Sequence, residues 1–132
     1  PDIIKPNQTE LEEYAGLDHK LSVAELMELA ESLCQKGIQT VAVSMGKDGA
    51  VFAGENYKIN CPALPVKAHS TVGAGDAMVA ALAYAHDRKL QEKEMVRLCM
   101  AVSAGAVTTV GTKPPDRVLV EQLMSEVRMQ ML

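Results

Sequence analysis

Ser70-Thr71-Val72-Gly73-Ala74-Gly75-Asp76 stands directly before an apolar helical pattern and separates two parts of the 132-residue chain that differ in character. Before it, the patterns are those of a strand end, two helices, a strand and a hairpin. After it, the chain is predicted to be helical almost to its end. This order of elements is typical of an α/β protein whose mainly parallel sheet is flanked by helices.

The predicted strands lie on the amino-terminal side of this motif. Ile3-Ile4 has the character of a strand end, and Thr40–Ser44 (TVAVS) is short and rich in β-branched residues, as buried strands are. Residues 50–53 and 57–61 are predicted to form two further strands joined by a turn over 54–56.

The predicted helices have recognisable ends. Thr9 is placed to cap a short helix, and Ser22 with Glu25 forms a capping box before a longer helix that Gly37 ends. Apolar residues recur at helical spacing after the glycine-rich motif as well. Three helices are therefore predicted there, over residues 75–86, 92–107 and 116–129.

Composition excludes several classes of protein. The 13 basic and 17 acidic residues give a net charge of −4, with no cluster of Lys and Arg, which argues against a nucleic-acid or anionic-membrane partner. The longest apolar run, residues 77–85, is too short to cross a bilayer. The three widely spaced cysteines favour structural thiols over a metal or redox role. We expect a single compact unit in the cytoplasm.

The strongest chemical signal is the glycine-rich motif itself. Gly73 and Gly75 allow close approach of a ligand to the backbone, and a helix N-terminus favours an anion. Asp76, in the first turn, is then a candidate general base beside an anion site. The alternative is a plain glycine turn in which Asp76 only caps the helix.

Two further patterns follow predicted strands. Ser44-Met45-Gly46-Lys47-Asp48-Gly49 lies where open α/β sheets bind ligands, although a tight turn between strands explains it equally well. In Lys5-Pro6-Asn7-Gln8-Thr9-Glu10, the Asn7 and Glu10 oxygens suit a hydrated Mg²⁺, and Lys5 could bind phosphate. A purely structural alternative remains, in which Glu10 only complements the helix dipole.

Taken together and in their order along the chain, residues 5–10, 44–49 and 70–76 resemble the ribokinase-like (PfkB) carbohydrate kinase family, and Gly111-Thr112 adds to the likeness. The resemblance covers essentially the whole chain but only the C-terminal, nucleotide-binding portion of the family's three-layer fold. The first residue is Pro1, and we therefore expect a longer protein whose N-terminal sugar-binding part and β-sheet lid are absent here.

The resemblance implies ATP-dependent phosphoryl transfer to a sugar-phosphate hydroxyl, with Mg²⁺ as cofactor. Asp76 would be the catalytic base, and Asn7 and Glu10 would hold Mg²⁺ largely through water. The backbone anion hole would be formed by Gly73, Ala74 and Gly75. The other nucleotide-binding residues would be Ser44, Gly46, Gly49, Lys5 and Asn7, with Met100 and Ser103 placed near adenine by their position.

Within the family, the likeness is greatest to members that phosphorylate fructose 1-phosphate, followed by those that use tagatose 6-phosphate. Ser70 stands where ribokinase-type members carry an Asp that helps to hold a monovalent cation, which favours the phosphosugar subgroup. We expect negligible kinase activity from the chain alone, and an exposed sheet edge that permits a homodimer. A non-catalytic nucleotide-binding module and a simple interaction domain are the alternatives from other classes.

Overall fold

The computed structural model describes residues 2–16, 18–64, 74–108 and 117–131. The chain divides into two compact units, Pro1–Pro62 with Met129–Leu132, and Ala63–Arg128. Ser70, Thr71, Val72 and Gly73 of the glycine-rich motif lie outside the described residues, as do Gly111 and Thr112. No helix in the described ranges is long and apolar enough to span a membrane.

The first unit contains a five-stranded sheet whose strands follow one another in chain order. They are β1 (Ile3–Ile4), β2 (Thr40–Ser44), β3 (Ala50–Gly54), β4 (Tyr57–Cys61) and β5 (Gln130–Met131). β1 pairs with β2 in parallel, whereas the pairs from β2 to β5 are antiparallel. The α/β class is confirmed, but the sheet is mixed, because two short turns reverse the chain directly after β2 and β3 where a parallel neighbour would need a long crossover.

Two helices connect β1 to β2. The first, α1 (Gln8–Tyr14), is capped by Asn7 and not by Thr9 as predicted. The second, α2 (Val23–Gln35), begins with the predicted capping box, in which the Ser22 N–H lowers the pKa of the Glu25 carboxyl. Gly37 follows α2 at a φ of +106°, a conformation that glycine adopts without strain.

One face of α2 packs on the sheet. Its buried residues are Leu26, Met27, Ala30 and Leu33. They share a core cluster with Val41, Val43 and Val51, which alternate along β2 and β3 and therefore lie on one face of the sheet. This packing holds the crossover from β1 to β2 in place and thereby fixes the positions of the loops at the ends of these strands.

The described residues of the second unit form three helices, α3 (Ala74–Arg88), α4 (Glu92–Thr108) and α5 (Arg117–Glu126). A small core includes Ala101 and Ala104 of α4 and Leu123 of α5. The predicted helix over 116–129 ends early, because Gln130 and Met131 pair with Asn60 and Ile59 in the sheet of the first unit. The helical pattern of residues 127–129 is overridden by this long-range pairing.

The three cysteines form no disulfide within the described residues, which include all of them. Cys34 is half-buried, and Cys61 and Cys99 are buried. Removal from water raises the pKa of the Cys61 thiol to about 12, because burial disfavours the charged thiolate. Cys61 is therefore held protonated at neutral pH.

Candidate active site

The carboxyl ends of β1 and β2 bring two of the predicted patterns together. Asn7 forms an isolated parallel bridge with Ser44, and the Ser44 N–H donates to the Pro6 carbonyl at 3.2 Å. Parallel pairing therefore continues past both strands into the loops. Lys5, which is half-buried, precedes this junction directly after β1. The structure thus groups Lys5, Asn7 and Ser44 at the edge where α/β sheets bind ligands.

Asn7 and Glu10 form a reciprocal capping box at the start of α1. The Glu10 N–H donates to Asn7 Oδ1 at 2.7 Å, and the Asn7 N–H donates to Glu10 Oε1 at 2.9 Å. Both residues are exposed. Glu10 therefore has a structural role at the start of α1, as part of a cap that orients the side chains of both residues.

This geometry sets how the pair could serve Mg²⁺. One oxygen of each side chain accepts a backbone N–H, which leaves the second Glu10 carboxylate oxygen as the principal anionic donor. Across the described ranges, no group of three or more His, Cys, Asp or Glu side chains could enclose a metal. The donors therefore fit a hydrated ion held mainly through water, a mode that Mg²⁺ commonly adopts.

The turn after β2 is held by its own backbone. The Met45 N–H donates to the Gly49 carbonyl at 2.8 Å, and residues Gly46–Asp48 form a single turn of 3₁₀ helix. Gly46 has a φ of +58°, and Gly49 has a φ of +97° with a ψ of −138°. A Cβ added to Gly46 would meet no atom of the described residues within 4 Å, so among these residues the turn leaves open space beside its backbone.

The side chains of Gln8 and Glu12, which sequence reasoning did not single out, form a clamp that attaches α1 to the backbone of Leu21. Gln8 Nε2 donates to the Leu21 carbonyl at 3.1 Å, while Glu12 Oε2 accepts the Leu21 N–H at 2.8 Å. The two side chains also bond to each other at 3.1 Å. Their spacing of four residues, on one helix face, was the available signal. The clamp ties the loop before α2 to the helix that Asn7 caps.

The second unit carries the catalytic candidate. Asp76 lies in the first turn of α3, and both Asp76 and the neighbouring Gly75 are exposed. Ala74, the first residue of the helix, is half-buried. Backbone N–H groups in a first turn have no partner within their helix, so Ala74 and Gly75 offer donors beside the Asp76 carboxylate. Gly73, the third predicted member, lies outside the described residues.

The two residues placed near adenine occupy different environments. Met100 is buried, with 6% of its surface exposed. Ser103 is half-buried, and its hydroxyl donates to the Ala74 carbonyl at 3.3 Å. Sequence reasoning assigned Ser103 to the nucleotide but did not detect this contact, because the two residues are 29 positions apart. Nucleotide contacts by Met100 and Ser103 stay predictions.

The fold resembles that of known kinases. Phosphofructokinase-2 from Escherichia coli, solved in complex with substrates and products, aligns with a TM-score of 0.86 and 28% identity over 95% of this chain and 40% of its own. Ribokinase from Thermotoga maritima aligns with a TM-score of 0.76 and 28% identity over 94% of this chain and 42% of its own. The chain thus has an α/β fold of the ribokinase-like class.

The family described as pfkB family carbohydrate kinase matches residues 1–118, and the chain belongs to this family. It is 33% identical over 132 residues to a 1-phosphofructokinase from Vibrio cholerae, covering 100% of the chain and 41% of the relative. It is 42% identical over 121 residues to a 1-phosphofructokinase from Rhodobacter capsulatus, covering 89% and 37%. The chain therefore spans about two fifths of the length of these relatives, and the predicted family resemblance is confirmed.

Proposed function

We propose that the protein to which this chain belongs transfers the γ-phosphoryl group of ATP to fructose 1-phosphate, yielding fructose 1,6-bisphosphate and ADP. The observation that carries the proposal is the exposed Asp76 carboxylate in the first turn of α3, beside backbone donors of Ala74 and Gly75. The choice of acceptor is supported by the names of the relatives from Vibrio cholerae and Rhodobacter capsulatus. The chain's role as the C-terminal, nucleotide-binding portion is part of the same proposal.

The proposed chemistry requires one base and one anion site. The hydroxyl oxygen of the acceptor bonds to the γ-phosphorus while Asp76 accepts the proton of that hydroxyl. The bond from that phosphorus to the bridging oxygen breaks, and ADP leaves with the electron pair. The N–H groups of Ala74 and Gly75 stabilise the negative charge on the transferring group, in a reaction governed mainly by positioning and electrostatics.

A carboxylate at this place also argues against a module that only binds nucleotide. Asp76 would repel a phosphate held at the same helix N-terminus, because like charges at close range disfavour each other. A carboxylate that weakens the binding of phosphate can still be favourable if it acts as the general base of the reaction. This argument favours catalysis over simple binding.

The first unit contains other proposed nucleotide-binding residues. Ser44, Gly46 and Gly49 lie in a backbone-held turn with open space beside Gly46, and Lys5 provides a positive charge near the same strand ends. Asn7 and Glu10 hold Mg²⁺ through its water shell in this proposal. When bound with ATP, that ion neutralises phosphate charge.

The test is ADP release by the complete protein with MgATP and one acceptor at a time. The acceptors are fructose 1-phosphate, tagatose 6-phosphate, fructose 6-phosphate, ribose and adenosine. Turnover confined to fructose 1-phosphate and lost in Asp76→Asn supports the proposal. Preference for tagatose 6-phosphate keeps the mechanism and changes the acceptor. If no acceptor gives ADP but ATP still raises the thermal stability, the non-catalytic nucleotide-binding module is favoured.

The chain by itself is the second arm of this test. We expect weak nucleotide binding and negligible turnover, because phosphoryl transfer depends on positioning the acceptor and the chain spans only 41% of its Vibrio cholerae relative. Turnover by the isolated chain equal to that of the complete protein would contradict the proposal that this chain is only the nucleotide-binding portion.

A further inference from the structure

The Ser103 hydroxyl reaches across from α4 to the first residue of α3. It donates to the Ala74 carbonyl at 3.3 Å, and both residues are half-buried. A serine inside a helix can bond to a carbonyl of its own preceding turn. Ser32 does so with Leu29 at 2.7 Å, and Ser125 with Gln122 at 2.6 Å. Ser103 differs from both because its acceptor lies in another helix.

The bond acts where α3 is least constrained by its own hydrogen bonds. The N–H groups of a first turn have no partner in the helix, and helix ends fray. Gly75 adds backbone freedom at the same place, because glycine restricts φ and ψ less than any other residue. A tie from α4 to the Ala74 carbonyl therefore limits the movement of the turn that carries Asp76.

The same bond limits what else the hydroxyl can do. A serine hydroxyl has a single hydrogen to donate, although its oxygen can still accept. Because that hydrogen is directed at Ala74, it cannot at the same time be donated to a phosphate oxygen or to an adenine nitrogen. A direct role in holding ATP by donation would require the observed bond to break.

We infer that Ser103 is a positioning residue for phosphoryl transfer, which holds the first turn of α3 and thereby the Asp76 carboxylate and the Ala74 and Gly75 N–H groups. This inference rests on the proposed function. In this inference, the Ser103 hydroxyl does not contact the nucleotide and instead holds the Ala74 carbonyl. The turnover number, and not the affinity for ATP, is then the quantity that depends on Ser103.

The kinetic test compares Ser103→Ala with Ser103→Thr and Ser32→Ala in the complete protein. Ser103→Ala should lower kcat about tenfold, because a less well-positioned Asp76 turn weakens transition-state stabilisation by about the energy of one hydrogen bond, and should change the KM for ATP less than about twofold. Ser103→Thr keeps a hydroxyl and should restore most of kcat. Ser32→Ala, which removes a hydroxyl that bonds within its own helix, should change neither constant.

Hydrogen exchange gives a readout that does not depend on activity. In regular helix geometry the Met78 N–H pairs with the Ala74 carbonyl, so this amide reports on the first turn of α3. Ser103→Ala should speed its exchange several-fold, whereas Ser32→Ala should not. Normal kcat with a raised KM for ATP would overturn the inference in favour of direct nucleotide contact, and so would unchanged Met78 exchange. If the wild-type protein releases no ADP, the proposed function fails, and the exchange data alone decide whether Ser103 holds the turn.

Discussion

Asn7 and Glu10 hydrogen bond to each other's backbone, with the Glu10 N–H 2.7 Å from Asn7 Oδ1 and the Asn7 N–H 2.9 Å from Glu10 Oε1. The two residues proposed to hold Mg²⁺ are therefore also the cap of α1. Because Asn7 bridges to Ser44 at the end of β2, this cap joins the helix start to the strand ends. The observed cap and the proposed ligand role fall on the same pair, and the two can be separated by comparison with the capping box of Ser22 and Glu25.

Replacing Asn7 should affect both stability and nucleotide binding. Asn7→Ala removes the cap of α1, and we expect a loss of about 1 kcal/mol in the free energy of unfolding. Ser22→Ala removes the equivalent cap of α2 and should cost a similar amount. Only Asn7→Ala should also weaken binding of MgATP. Chemical denaturation and calorimetric titration of the two variants measure these quantities.

The contrast between the two caps decides the issue. If Ser22→Ala lowers MgATP affinity as much as Asn7→Ala, the effect is one of general stability. If Asn7→Ala is destabilised but binds MgATP normally, the pair is a cap alone, and the proposed Mg²⁺ role of Asn7 is wrong.

Removal of the Asp76 carboxylate should abolish most of the turnover. Asp76→Asn keeps the size of the side chain but cannot accept the hydroxyl proton, and kcat should fall by about 10²- to 10⁴-fold. Asp87→Asn, at another exposed position of α3, is the matched control and should leave kcat unchanged. Steady-state ADP release measures both. Equal losses in the two variants would point to a general charge effect, and no loss in Asp76→Asn would remove Asp76 from the mechanism.

The two glycines of the turn after β2 should respond differently to substitution. Gly49→Ala places a side chain at a φ of +97° and a ψ of −138°, and we expect a loss of about 1–3 kcal/mol in the free energy of unfolding. Gly46→Asn should be tolerated within about 1 kcal/mol, because its φ of +58° lies in the left-handed region that Asn adopts. Gly46→Asn should nevertheless weaken ATP binding, since its side chain enters the open space beside the turn. Normal ATP affinity in Gly46→Asn would contradict a nucleotide at this turn.

Burial of Cys61 predicts a loss of stability at alkaline pH. The thiol keeps its proton in the folded protein up to a pKa of about 12, whereas in the unfolded chain it ionises near its ordinary value of 9.0. Its contribution to stability is therefore fully present below pH 9 and is lost progressively as the pH rises from there towards 12. The difference in free energy of unfolding between wild type and Cys61→Ala should be constant from pH 7 to 8 and change in favour of Cys61→Ala from pH 9 to 11. A difference that stays constant up to pH 11 would show that the thiol is not shielded from water.

The features that the sequence predicts well are those that depend on neighbours in the chain. The capping box of Ser22 and Glu25, the strand Thr40–Ser44 and the stop at Gly37 all rest on interactions within a few residues. Their physical causes, a side-chain cap, β-branched burial and a positive φ, are visible in the residues themselves. The spacing of three residues between Asn7 and Glu10 also indicates a capping box, which the predicted cap at Thr9 leaves out of account.

The features that sequence reasoning missed depend on residues far apart in the chain. The helix predicted over 116–129 ends at Glu126, and Gln130 and Met131 pair with β4, some 70 residues earlier. The acceptor of the Ser103 hydroxyl lies 29 residues away. Local propensity sets which conformation a segment prefers, and it contains no information about which distant partner will satisfy its hydrogen bonds.

The sequence by itself therefore determined the family, the α/β class and the candidate chemistry of Asp76. Only the tertiary structure decided the mixed strand order, the junction of Asn7 with Ser44 and the tie that holds the first turn of α3, because each of these is formed when packing brings separate segments together.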